Sequence, residues 1–146
     1  MCLYGIVQRA SGRPNYKNVQ KRFILLALKM PRKIIIIEDD PDILDIMAYI
    51  LSEEGYDVLS ATNSKPLEEV HLHDPILILM DNRLTDGLGK DFCKHFKEDP
   101  ATRHFPIVLV SANSGLEQMA RDSGADGYLK KPFDISELIE VVKKFG

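Results

Sequence analysis

The sequence predicts an α/β fold, a doubly wound sheet of five parallel strands with helices on both faces. Three observations support this class. Apolar segments of strand length alternate with helical patterns over about 115 residues. The apolar segments show no polar alternation, which is typical of parallel strands buried on both faces. Gly55, Pro66 and Gly124 stand at boundaries between the two kinds of segment, where the chain is expected to turn.

Five apolar segments predict the strands. The first contains four consecutive isoleucines, Ile34–Ile37, whose β-branched side chains favour an extended backbone. The third and fourth segments are continuous apolar runs as well, and the fifth is the shortest. In chain order the predicted strands are Lys33–Ile37, Tyr56–Ser60, Pro75–Met80, Pro106–Val110 and Asp126–Leu129.

Helical patterns connect these strands. The first pattern places Ile43, Met47 and Leu51 on one face and is closed by Gly55. A short helix begins near Pro66, because proline is favoured at the first helical position. The remaining helical patterns cover roughly 88–97, Leu116–Arg121 and Ile135–Val142.

Composition excludes several protein classes. The chain has 146 residues, of which 45% are hydrophobic and 28% charged, close to the globular average. No stretch approaches the roughly 18–20 consecutive apolar residues that span a membrane. Two cysteines, Cys2 and Cys93, are too few for a disulfide framework. We therefore expect a cytoplasmic protein with Cys93 as a small buried core residue.

The charges are distributed unevenly along the chain. Residues 1–30 contain six basic residues and no acidic one, whereas residues 31–146 contain 13 basic and 22 acidic residues. This excess of acid argues against nucleic-acid binding by the folded domain, which would need a basic face. We expect residues 1–30 to be a basic extension, disordered or loosely helical, and residues 31–146 to be the domain. A start codon assigned too early is a second explanation of the extension, because Met30 opens a clean domain start.

Chemically active side chains stand where the predicted strands end. Glu38 and Asp39 follow the first strand and Asp81 follows the third. Ser111 follows the fourth strand, and Lys131 lies shortly after the fifth. In such a sheet, ligands bind at the carboxyl ends of the strands. Carboxylates from two neighbouring strand ends suit Mg²⁺, and a lysine with a hydroxyl supplies the donors that a phosphoryl group needs.

This ordered set resembles the receiver domains of two-component response regulators. The matching segments are Ile34–Asp39, Leu77–Asp81, Pro106–Ala112 and Gly124–Phe133, and the resemblance covers residues 31–146. It implies a single-domain, CheY-like receiver with a flavodoxin-like fold. It also implies a phosphoprotein of phosphorelay signal transduction that is not a turnover enzyme.

The resemblance places Asp81 at the phosphoacceptor position. It implies that Mg²⁺ is held by Glu38, Asp39, Asp81 and the backbone carbonyl of Arg83. The acidic pair would bind the ion directly or through water.

The resemblance also assigns phosphoryl-binding and switch residues. Ser111 stands at the switch hydroxyl, Lys131 at the phosphoryl-binding lysine and Tyr128 at the switch aromatic. Arg83 and Asn113 stand at two positions that border the phosphoryl group and tune its hydrolysis. A bulky arginine could shield or pair with the acyl phosphate, so we expect a long-lived phosphoryl group.

One position departs from the family pattern. The family usually has a proline four residues after the acceptor, where this chain has Thr85. Because proline fixes φ near about −65°, we expect residues 84–88 to be more mobile than usual. Gly89 matches the family's glycine in the same loop.

The implied partners are a histidine kinase or histidine phosphotransfer protein and a downstream protein target. The sequence ends a few residues past the last predicted helix, so we expect signalling by docking. A phosphorylation-linked dimer, through the face of the predicted helix Leu116–Arg121, stays open.

Two alternatives also stay open. The first is a phosphorylation-independent interaction module of the same fold. Such modules usually lack the acceptor, an acid or the lysine, all of which are present here. The second is a haloacid-dehalogenase-like phosphatase, superficially matched by Asp40-Pro41-Asp42. That motif needs an aspartate directly at the strand end, where Glu38 and Asp39 stand. Asp40 instead suits the cap of the first helix.

Overall fold

The computed structural model describes residues 15–29 and 32–146. The chain divides into two units, residues 1–30 and 31–146, and each is described by itself. In the first unit, helix α1 comprises Tyr16–Lys29. Cys2 and the other residues of 1–14 lie outside the described part, so the basic extension stays a prediction. Among the described residues, no helix combines the length and apolar character needed to cross a membrane.

Residues 32–146 of the second unit form seven strands. They are β1 (Lys33–Ile37), β2 (Asp57–Ala61), β3 (Leu77–Asp81), β4 (Arg83–Leu84), β5 (Gly87–Leu88), β6 (Ile107–Ser111) and β7 (Gly127–Lys130). Five of them form one sheet in the order β2-β1-β3-β6-β7, and every pair in it is parallel. The predicted five-stranded doubly wound sheet is confirmed. Strands β4 and β5 form a separate antiparallel hairpin, which the sequence did not predict.

Helices follow the strands of the sheet. They are α2 (Pro41–Glu53), α3 (Val70–His73), α4 (Gly89–Glu98), α5 (Leu116–Ser123) and α6 (Ile135–Lys143), with a 3₁₀ segment at Lys65–Glu69 before α3. Asp40 caps α2, because its side chain accepts hydrogen bonds from the backbone N–H groups of Asp42 and Ile43. The capping role predicted for Asp40 is therefore confirmed.

The sheet separates two hydrophobic clusters. Side chains alternate between the faces of a strand, so Ile34 and Ile36 belong to one cluster while Ile35 and Ile37 belong to the other. Each buried isoleucine contributes roughly 1.5–3 kcal/mol through removal from water. Helices α2 and α6 cover the first cluster, and α3, α4 and α5 cover the second. Cys93 is fully buried in the second cluster, as predicted.

The order of the strands reverses beside β1. The chain leaves β2 on one side of β1 and forms β3 on the other side. A crevice opens at the carboxyl ends of the strands at such a reversal. Ile37 of β1 is paired with Met80 of β3, so the next residues, Glu38 and Asp81, stand side by side at that edge.

Candidate functional site

A cleft of about 420 Å³ opens at the carboxyl edge of the sheet. Seven of the eight site residues predicted from the sequence line it: Glu38, Asp39, Asp81, Arg83, Ser111, Asn113 and Lys131. The eighth, Tyr128, lies outside the cleft on β7, where 43% of its surface is exposed. The structure therefore brings together side chains from four separate strand ends.

Three carboxylates converge in the cleft. Glu38, Asp39 and Asp81 each offer one oxygen, and these three oxygens lie within 4.8 Å of one another. Glu38 and Asp81 are buried, whereas Asp39 is exposed. Two buried acids at this separation repel each other when both are ionised, so the site needs a compensating cation.

Lys131 supplies part of that compensation. Its Nζ atom lies 2.8 Å from Oε2 of Glu38 and 3.4 Å from Oδ1 of Asp81. The backbone N–H of Lys131 donates to the carbonyl of Ser111 at 2.9 Å, which extends the pairing of β7 with β6 and fixes the lysine at this edge. One lysine thus contacts both buried carboxylates.

The electrostatics of the site follow from this burial. Burial, and then the negative charge of Glu38, raise the pKa of Asp81 to about 7 despite the opposing charge of Lys131. Burial also raises the pKa of Glu38, against the opposing charge of Lys131. Burial alone lowers the pKa of Lys131, but its contacts with Glu38 and Asp81 outweigh that effect and raise it. The lysine therefore remains charged at neutral pH, while Asp81 is poised to lose or bind a proton.

The cleft fits a divalent cation. Oε2 of Glu38 is buried and makes no well-aligned hydrogen bond, although the Lys131 ammonium lies 2.8 Å away. An under-satisfied carboxylate oxygen beside two further acids is the donor set that hard cations such as Mg²⁺ prefer. The lysine alone does not balance three carboxylates.

Ser111 is the last residue of β6 and is buried. Its Oγ accepts a hydrogen bond from the backbone N–H of Asn113 at 3.1 Å. Asn113 in turn accepts from the backbone N–H of Gly115 at 2.8 Å through its side chain. Because Ser111 Oγ acts as an acceptor here, its hydroxyl proton is available to an oxygen that enters the cleft.

The role of Asn82, the neighbour of Asp81, was not predicted from the sequence. Asn82 is buried, and its side-chain oxygen accepts from the backbone N–H of Lys90 at 3.0 Å. Its carbonyl also accepts from the backbone N–H of Gly89 at 2.8 Å. These two bonds join the end of β3 to the start of α4. No local pattern of the sequence indicates this contact, because Asn82 and Lys90 are eight positions apart and the β4–β5 hairpin lies between them.

Gly89 is required by a close approach of two backbone segments. A Cβ atom at this position would collide with the carbonyl oxygen of Asp81 and would lie 3.0 Å from Cα of Asn82. We expect Gly89→Ala to destabilise the fold by about 1–3 kcal/mol, the usual cost of overpacking, and to displace the Asp81 peptide. Urea unfolding measures the free energy of unfolding. Gly115→Ala is the matched control, because its Cβ would meet only a side-chain oxygen at 3.4 Å. Equal stability of the two variants would contradict this prediction.

Comparison with known proteins defines the class. The family model described as the response regulator receiver domain matches residues 34–143. The chain belongs to this family of receiver domains of two-component systems.

Relatives and solved structures agree with this assignment. The chain is 32% identical over 117 residues to the phosphate regulon transcriptional regulatory protein PhoB of Escherichia coli (strain K12), covering 78% of this chain and 51% of PhoB. It is 30% identical to the polar-differentiation response regulator DivK of Brucella anthropi, covering 80% of this chain and 97% of DivK. The structure of a CheY-like response regulator receiver domain protein from Methanospirillum hungatei JF-1 matches with a TM-score of 0.70 at 28% identity, covering 78% of this chain and 92% of that one. The chain thus spans about half the length of PhoB and nearly all of DivK.

Proposed function

We propose that residues 31–146 are a phosphoacceptor domain that takes a phosphoryl group from a histidine kinase or histidine phosphotransfer protein onto Asp81. One observation carries this proposal: the Asp81 carboxylate is buried in an acidic cleft, 3.4 Å from the ammonium of Lys131. A buried carboxylate with a raised pKa beside a fixed cation is a candidate functional group rather than a solvated surface acid. Family membership supports the same function.

Mg²⁺ is the cofactor we propose for this site. Glu38, Asp39 and Asp81 would hold it through their carboxylates, and Arg83 would contribute its backbone carbonyl. When bound, the ion would offset the negative charge of the carboxylates and of the phosphoryl oxygens. The under-satisfied oxygen of Glu38 and the convergence of three acids support this assignment.

The proposed step is a transfer between a nitrogen and an oxygen. An oxygen of the ionised Asp81 carboxylate forms a bond to phosphorus as the bond from phosphorus to the donor histidine nitrogen breaks. The electron pair of that bond stays on the imidazole, which binds a proton. Lys131 and the Ser111 hydroxyl then donate to the phosphoryl oxygens. This is one transfer followed by slow hydrolysis, not turnover of a substrate, and Arg83 and Asn113 border the place where water would attack.

A local switch would report the modification. Donation by Ser111 to a phosphoryl oxygen draws its side chain towards Asp81 and opens space on the other side of β6. Tyr128 lies on β7, the neighbouring strand, and is half-exposed. We propose that its ring turns inward into that space, so that the surface around β7 changes for a downstream protein target.

An apolar cavity beside the cleft offers a docking surface for the phosphodonor. It measures about 340 Å³ and is lined mainly by Ile43, Ile46, Met47, Pro132 and Phe133. Ile46 is 60% exposed on α2. Because the cavity also shares Ala112 and Lys131 with the acidic cleft, an apolar surface of the phosphodonor seated there would bring its phosphohistidine to Asp81.

Phosphorylation by acetyl phosphate tests the proposal. The wild-type protein with Mg²⁺ should gain about 80 Da, the mass of one phosphoryl group, in an intact-mass spectrum. The gain should disappear when EDTA removes the metal. A protein that binds no Mg²⁺ and gains no mass would favour the phosphorylation-independent interaction module. Rapid release of phosphate without an adduct would favour the phosphatase.

A further inference from the structure

The segment after the proposed acceptor is tied to a second loop at the same edge of the sheet. Strands β4 and β5 pair Arg83 with Leu88, which leaves Thr85 and Asp86 at the turn of the hairpin. The two carboxylate oxygens of Asp86 accept from the backbone N–H of Ser64 at 3.1 and 3.3 Å. Asp86 also accepts from the Ser64 hydroxyl. This Ser64–Asp86 link joins residues that are 22 positions apart in the chain.

The Ser64–Asp86 link consists of hydrogen bonds to a charged acceptor at the protein surface. The hydrogen bonds from Ser64, more than any other cause, hold the pKa of Asp86 below its usual value. The carboxylate is therefore ionised at neutral pH, and hydrogen bonds to an ionised acceptor are stronger than neutral ones. The 3₁₀ segment holds Ser64 in position, because Ser64 directly precedes this segment and its carbonyl accepts a hydrogen bond from the Leu67 backbone N–H.

The other contacts of the hairpin hold its base and one side. Leu84 packs against the second hydrophobic cluster. Gly87 lies against the ring of Phe92, where a Cβ atom would come within 2.9 Å of a ring carbon. Gly89 donates to the carbonyl of Asn82 at 2.8 Å. The tip of the hairpin is held by Asp86.

Arg83 connects this hairpin to the metal site, because it lies in β4 and its carbonyl is a proposed ligand of Mg²⁺. Proline usually stiffens this loop in the family, and Thr85 occupies its position. Without proline, the backbone of this loop has more conformations available. The hydrogen bonds between Ser64 and Asp86 at the tip of the loop restrict those conformations instead.

We propose that Asp86 is a positioning residue, which holds the hairpin through Ser64 so that the Arg83 carbonyl is in place for Mg²⁺. This inference rests on the proposed function, since it concerns the same metal site. Asp86 itself does not touch the ion.

Calorimetric titration with Mg²⁺ tests the inference without requiring phosphorylation. Asp86→Ala should raise the Mg²⁺ dissociation constant by about five-fold, because one charge-assisted contact is lost. Adding Thr85→Pro to Asp86→Ala should restore most of the affinity, since the family usually has proline at this position and Thr85 is not among the residues with positive φ. A loss of affinity that Thr85→Pro leaves unchanged would overturn the inference.

Asp99→Ala is the matched control. It removes one acid that also accepts a backbone hydrogen bond in a loop, from Ala101 at 2.8 Å, but it follows α4 at the opposite edge of the sheet. Its Mg²⁺ affinity should equal that of the wild type. Equal affinities of Asp86→Ala and the wild type would overturn the inference, and so would an equal loss in Asp99→Ala. A wild type that binds no Mg²⁺ would instead contradict the proposed function.

Discussion

Asparagine in place of Asp81 is expected to abolish phosphorylation and, at the same time, to stabilise the unphosphorylated protein. An amide cannot attack phosphorus as a carboxylate does, so the adduct of about 80 Da should be absent. Burial and the charge of Glu38 raise the pKa of Asp81 to about 7, which means that ionising Asp81 costs free energy in the folded state. A neutral side chain of the same shape removes that cost.

The gain in stability should depend on pH in a defined direction. The folded pKa of Asp81 lies above the ordinary value of 3.8, so the folded wild type holds a proton that the unfolded chain has lost. Its stability therefore falls as the pH rises from about 4 to about 7. The advantage of Asp81→Asn should be on the order of 2–4 kcal/mol at pH 8 and close to zero at pH 4. Urea unfolding at both pH values, without Mg²⁺, measures it.

Asp40→Asn is the matched control for both effects. It also neutralises one acid at this edge of the sheet, but Asp40 caps α2, and asparagine caps a helix equally well. This variant should keep the phosphoryl adduct and the stability of the wild type. Loss of the adduct in Asp40→Asn, with retention in Asp81→Asn, would contradict the assignment of the acceptor.

Methionine in place of Lys131 is expected to destabilise the protein by about 3 kcal/mol at pH 8. The ammonium lies between Glu38 and Asp81, and its removal leaves two buried carboxylates without their cation. Both carboxyl groups should then show still higher pKa values, so the loss of stability should shrink as the pH falls to about 5. The adduct should also form about ten-fold more slowly or worse, because a donor to the phosphoryl oxygens is missing.

A double-mutant cycle separates this electrostatic cost from lost packing. Lys131→Met combined with Asp81→Asn leaves one buried carboxylate instead of two, so the double variant should be destabilised by less than the sum of its single variants predicts. Additive changes in the free energy of unfolding would mean that Lys131 and Asp81 are not coupled. Lys131→Arg keeps the charge and should retain most of the stability.

The sequence was sufficient for the sheet and for the location of the cleft. Strands β1, β3 and β6 are buried on both faces, so their sequences are continuous apolar runs whose ends are marked by the first polar residue. Parallel strands bring their carboxyl ends to one edge, so Glu38, Asp81 and Ser111 were expected together. The strands β3 and β6 end one residue later in the structure than predicted, because hydrogen-bond pairing continues through Asp81 and Ser111 although both are polar.

The hairpin at 83–88 shows where local patterns stop being informative. Its strands have two residues each, too few to show an alternation of polar and apolar side chains. The absence of proline at position 85 suggested mobility, and that mobility stays a prediction. Asp86 opposes it by binding Ser64, and no local feature of the sequence indicates that these two residues meet.

The chemical identity of the site residues and the order of the strands and helices could therefore be predicted from the sequence, because strand burial and helix capping depend on near neighbours. The balance of charge in the cleft could not be predicted in this way. It depends on how deeply Glu38 and Asp81 are buried and on a lysine 50 positions from Asp81 that reaches both carboxylates. Burial and distances between remote residues arise only when the strands assemble, and they set both the raised pKa of Asp81 and the need for a cation.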